Sequence, residues 1–249
     1  MRWELEADLG VFDERVRPLF EAHLVNNVVA TVLTGTIQGQ FHASPSLLVV
    51  GMDDDGAVAA AALRTAPWPM LCTPVDPGDA SALADLWLEH DPELPGVNAE
   101  LGTARAIAGA WTSRSGGSDR CRTAMAMHSL TTVVNPPRPG PGELVTATEA
   151  DRDLALSWWD DFVTESRVID AGPESRVATV DFRIGAGHLF LWRDDGRPVS
   201  MVSTNPPVAG VVLYTDLANP TSNRIYADVG YRRFGEWEER VFQAVSPRT

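Results

Sequence analysis

At 249 residues, with 44% hydrophobic and 22% charged residues, the chain has the make-up of a globular protein with a sizeable core, in one large or two smaller domains. A formal net charge of −14 argues against nucleic acid and anionic membrane as partners, since both select basic surfaces; it is compatible with a cationic substrate such as an amine, and equally with an acidic surface that serves solubility alone. Met1–Glu6 carries no apolar leader and no long apolar run follows, so a cytoplasmic protein is expected, with its two cysteines, Cys72 and Cys121, as buried reduced thiols.

In chain order, Val11, Phe12, Val16, Leu19, Phe20 and Leu24 recur at helical spacing and predict a first helix. A second apolar helix follows near Val28–Leu33. Leu47–Met52 and Ala57–Arg64 read as strands around the Asp53–Gly56 turn, and Pro69–Thr73 as a short strand. Ala80–His90 and Thr103–Thr112 read as helices, and Arg122–Val134 alternates like a strand. Asn135–Gly142 then packs four prolines and two glycines into eight residues, a stiff linker. The expected division is a domain over 1–134, a linker over 135–142 and a second domain over 143–249.

Beyond the linker, Leu144–Ala147 predicts a strand, and a helix runs from about Glu149 to Glu165 with Thr148 as its cap. Ser175–Ile184 predicts another helix. Gly187–Met201 reads as two strands joined by the Asp194-Asp195-Gly196 turn. Val211–Thr215 reads as a short buried strand. Asn219 caps the next helix, Pro220 fits its first turn, Gly230 ends it, and Tyr231 opens a strand to about Phe242.

The run from Leu213 to Tyr231 (strand, Asn-Pro helix start, Tyr226 seven residues after the cap, then Gly-aromatic) resembles the acetyl-CoA-binding C-terminal motif of the GNAT acetyltransferase superfamily. The Gly187–Met201 hairpin resembles the central hairpin of the same family, in its tandem, actinobacterial form. The resemblance implies an α/β fold with a mixed sheet: a tandem arrangement with a degenerate N-terminal half and a shortened C-terminal half. The order of elements in 1–134 is similar to a second GNAT-like half. That half lacks the N-x-x-S-x-x-x-Y pattern, which implies a structural or substrate-shaping role.

One stretch departs from the family. Between Gly210 and Val211 the family carries a strand, a basic R-G-x-G loop and a long helix, and here Gly210 runs straight into Val211. In the family that loop cradles the cofactor pyrophosphate with backbone N–H groups and a helix N-terminus. Gly185-Ala-Gly187 precedes a strand without a basic partner, and Ser115–Ser118 is a polar loop, so neither replaces it. The expectation is that Val211–Thr215 takes the lost strand's place, antiparallel to Val199–Thr204.

The resemblance further implies an N-acetyltransferase that moves an acetyl group from acetyl-CoA to a small-molecule or peptide amine. The alternative is an inactive GNAT-fold binding or scaffold protein that has lost its pyrophosphate clamp. By resemblance Tyr226 is the catalytic acid for the departing thiolate, and Asn219, Ser222 and Asn223 contact the cofactor. On its residues alone Asn219 is a helix N-cap, and both roles can hold together. Asp161 and Glu165, one helical turn apart, could attract a cationic amine or form a solvated acidic face. The histidines at 23, 42, 90, 128 and 188 are scattered, so no metal site is expected. The tryptophans read as core or loop packing rather than a ligand cage.

Overall fold

The computed structural model describes residues 1–39, 45–138, 140–166, 172–205 and 210–243. His42, the 206–209 part of the loop before Gly210, and Pro139 of the linker lie outside them. The contacts divide the chain into two compact units. One takes in the described residues of Met1–Ile37, Ser44–Asn135 and Pro207–Thr249, the other those of Gln38–Ala43 and Pro136–Pro206.

The first unit is built on strands β1 (Arg2–Glu6), β2 (Pro45–Met52), β3 (Val58–Thr65), β4 (Met70–Cys72), β5 (Gly96–Glu100) and β6 (Ser118–Leu130). The chain leaves after β6 and returns with β10 (Val211–Asp216), helix α7 (Pro220–Val229) and β11 (Arg232–Gln243). The eight strands stand in the order β1-β2-β3-β4-β5-β11-β6-β10. All neighbours are antiparallel except β4 and β5, which run parallel through helix α3 (Pro77–His90). The last strand therefore sits inside the sheet, bonded to β5 on one side and β6 on the other.

Helices α1 (Leu9–Ala22) and α2 (Asn27–Ile37) cover one face, α3 and α4 (Leu101–Ser115) the other. Phe12, Val16, Phe20, Val29 and Leu33 meet Leu63, Met127 and Trp237 in the first layer. Leu83, Trp87, Ile107 and Trp111 meet Met70, Val97 and Phe242 in the second. Val11, expected on the core face of α1, is instead exposed. Cys72 is buried as expected, and burial pushes its thiol pKa up; Cys121 is exposed on β6, contrary to expectation.

The second unit has strands β7 (Glu143–Thr146), β8 (Leu189–Asp194) and β9 (Arg197–Ser203), with helices α5 (Arg152–Ser166) and α6 (Pro173–Gly185). Thr148 and Asp151 form a reciprocal capping box ahead of α5. The β8–β9 turn holds Asp195 at φ 48° and Gly196 at φ 72°, two successive left-handed residues that match strand twist. The core is small: Ala147, Ala155, Val180, Leu189 and Leu191, with Trp158, Trp159 and Met201 against it.

Three expectations are corrected. Val211–Thr215 does not pair with Val199–Thr204. β10 pairs antiparallel with β6, Val211 opposite Leu130 and Thr215 opposite Ala126, while β9 pairs with β8. Its burial is also partial, because it is an edge strand: Val211 is exposed and Thr215 is buried. The division at the linker does not follow the contacts either, since β10, α7 and β11 complete the first unit's sheet. The reason lies in β11. Trp237 and Phe242 enter the two core layers on opposite faces, and the strand satisfies hydrogen bonds on both of its edges.

Candidate functional site

The start of α7 is built from its own polar residues. Asn219 Oδ1 accepts the Ser222 backbone N–H at 3.0 Å, and Pro220 follows at the first helical position. Asn223 turns back into the strand–helix corner. Its Nδ2 donates to the carbonyls of Asp216 at 2.9 Å and Asn219 at 2.7 Å, and its Oδ1 accepts from the buried Thr215 hydroxyl. Asn223 is thereby spent on holding the corner. Ser222 is partly buried and Asn219 exposed.

Tyr226 lies one turn further along, partly exposed, its ring edge-on to Tyr231 with centroids 5.5 Å apart. Gly230 ends the helix at φ 113°, and a Cβ there would lie 2.4 Å from the Thr132 carbonyl oxygen. Burial, with the neighbouring Tyr226, raises the Tyr231 pKa. Among the described residues, the Tyr226 hydroxyl and the Asn219 Nδ2 have no hydrogen-bond partner. The arrangement thus presents one amide donor, one phenol and the positive end of a ten-residue helix to solvent.

α3 follows β4 and leads to the parallel strand β5, and its N-terminus is where an anion could be received. Its residues oppose that. Asp76 stands at the N-cap and Asp79 in the first turn, and Asp79 holds the Met1 ammonium at 3.0 Å. Two carboxylates at a helix start repel a phosphate.

Asp161 and Glu165 lie on α5, in the second unit, whereas the other four expected site residues lie on or next to α7 in the first. Both carboxylates are exposed and unpaired among the described residues, whereas Asp160 is ion-paired with Arg176. The same helix carries what the sequence reading missed. Trp158, Trp159 and Phe162 line a pocket with Leu189, Met201 and Ser203. These two tryptophans were expected as packing. The available signal was an aromatic run at i, i+1 and i+4 on a helix with a single fully buried residue, Ala155.

No protein-family model matches the chain, and no curated protein does. Solved structures do. A Drosophila protein is 11% identical with a TM-score of 0.60, the match covering 97% of this chain and 98% of that one. A GCN5-related N-acetyltransferase from Sphaerobacter thermophilus is 11% identical with a TM-score of 0.57, covering 98% and 96%. A tandem GNAT protein from the clavulanic acid biosynthesis pathway is 13% identical with a TM-score of 0.50, covering 100% and 99%. The chain has the mixed α/β fold of GNAT acetyltransferases, a tandem one included. Among the described residues no helix is long and apolar enough to cross a membrane, and no group of three potential metal ligands occurs.

Proposed function

We propose that this chain is an N-acyltransferase of the GNAT type, carrying an acetyl group from acetyl-CoA to the primary amine of a small molecule or peptide. The observation that carries the reading is the α7 start: a capped, exposed helix end with an unpartnered amide donor at Asn219 and an unpartnered phenol at Tyr226, on a GNAT fold. Acetyl-CoA supplies an activated thioester. In the transfer the amine nitrogen bonds to the acetyl carbon, the carbon–sulfur bond breaks, the amine loses a proton and the thiolate gains one.

Tyr226 would hold the proton for the departing sulfur at its phenol oxygen. Asn219 would donate its Nδ2–H to an amide carbonyl of the pantetheine arm while its Oδ1 keeps the cap. Ser222 would contribute from the same turn, and Asn223 acts by fixing the corner that aims both. Separately, Asp161 and Glu165 would draw a cationic amine to the second unit's own surface. The R-G-x-G segment that the resemblance assigns between Gly210 and Val211 has no counterpart at α3, whose first turn is acidic. Affinity for the phosphates is therefore weak, and binding rests on the arm.

The test is thiol release from acetyl-CoA with a panel of primary amines, read beside Tyr226→Phe. Amine-dependent release that the variant loses supports the reading. Background release only, with every amine, returns the chain to the inactive-scaffold alternative.

A further inference from the structure

The aromatic pocket of the second unit has a volume of about 330 Å³, at the lower end of the roughly 300–1,000 Å³ range of small-ligand sites. It is lined by Trp158, Trp159, Phe162, Leu189 and Met201, with Ser203 supplying the single hydroxyl. Phe162 is 57% exposed, so its ring is open to solvent at the pocket. Helical spacing sets Asp161 three residues after Trp158 and Glu165 three after Phe162, so both carboxylates border the aromatic face. The pocket thus has an apolar, π-rich lining, with Asp161 and Glu165 on the neighbouring strip of the same helix.

We propose that this pocket selects a small amphipathic primary amine, with a ring-sized apolar body against Trp158, Trp159 and Phe162 and its ammonium toward Asp161 and Glu165. The proposal concerns the second unit alone and stands apart from the acyltransferase reading. Aromatic faces attract an ammonium as well as an apolar body, so the two halves of such a ligand reinforce each other. A polyamine would bring several charges against walls that offer one hydroxyl. An amino acid would bring its carboxylate toward Asp161 and Glu165.

The experiment is calorimetry on the full chain, without acetyl-CoA, using 2-phenylethylamine, 2-phenylethanol and spermidine. The expected result is 2-phenylethylamine binding at least about tenfold tighter than either of the others (about 1.4 kcal/mol). Phe162→Ala should weaken it by a similar factor; the residue is exposed, so the fold survives, which circular dichroism checks. The double variant Asp161→Asn, Glu165→Gln should reduce the amine to the affinity of the alcohol. Spermidine binding as tightly, an amine indifferent to both variants, or no binding by any probe overturns the proposal. Because acetyl-CoA is left out, those outcomes do not touch acyl transfer. Conversely, amine binding by a chain that fails to bind acetyl-CoA leaves the pocket standing and removes the transfer.

Discussion

Trp111 on α4 stacks on Phe242 of β11, ring centroids 4.3 Å apart and planes 14° from parallel. This contact joins a helix of the first half to the last strand of the chain. On the opposite face, the buried Trp237 donates its indole N–H to Asn98 Oδ1 of β5. Both core layers of the first unit are thus closed by residues that follow the second unit in sequence.

Removing that closure should be severe. Trp237→Ala is expected to cost about 3–5 kcal/mol, a large-to-small change at a fully buried site. A chain ending at Asn205 should lose the cooperative unfolding of the first unit, because β5 and β6 would each keep an unpaired edge. Denaturant melts of both, followed by near-ultraviolet circular dichroism, check this.

Glu238 is buried between Arg105, whose Nη2 lies 2.8 Å away, and Arg240, also at 2.8 Å. Burial works against its charged form, but the two guanidinium partners outweigh it and hold the pKa below the ordinary glutamate value. Asp151 is held low in the same sense, first by the Thr148 backbone N–H. A depressed folded pKa contributes stability that is present above the unfolded value of about 4 and lost as pH falls through the folded one. The urea midpoint should therefore fall as pH drops below about 4, and Glu238→Gln should be less stable at pH 7 with a flatter acid limb.

Much of the local structure is legible in the residues. Thr148, Asn219-Pro220 and Gly230 announce their helix ends, and Asp195-Gly196 its turn, because caps and turns are set within a few positions. Two strands are not. Gly96–Glu100 has neither a β-branched run nor clean alternation and becomes a strand only because β4 and β11 flank it. Arg2–Glu6 is short and charged, an edge strand held by β2. The partner of β10 was likewise beyond reach, since pairing is decided by which core Trp237 and Phe242 enter. Of the site, the α7 residues could be read from their spacing. The pocket could not, because it needs Leu189 and Met201 brought beneath Trp158 and Trp159.

The two roles of Asn219 separate by substitution. Asn219→Ala should cost about 1 kcal/mol of stability through the lost cap. Asn219→Asp keeps the cap but replaces the amide donor with a charge, and should weaken acetyl-CoA binding with little loss of stability. Thermal melts with and without acetyl-CoA distinguish them.

Tyr226→Phe keeps the edge-on contact with Tyr231 and removes the hydroxyl alone. The rate of acetyl transfer at saturating amine should fall by about 10²–10⁴ with acetyl-CoA affinity unchanged. A parallel loss of affinity would mean that the phenol binds rather than reacts.

Gly230→Ala should destabilise the α7–β11 corner. Its φ of 113° and the Thr132 carbonyl 2.4 Å from a new Cβ leave no unstrained placement. A lowered melting temperature with an unchanged second-unit amine affinity is the expected pattern.

The most direct measurement is an acetyl-CoA titration by calorimetry, with a thermal shift alongside. The account predicts saturable one-to-one binding, weakened by Asn219→Asp, and a stabilisation of about 2.7 kcal/mol when the ligand stands at a hundred times its Kd. No heat and no shift at millimolar acetyl-CoA would contradict it.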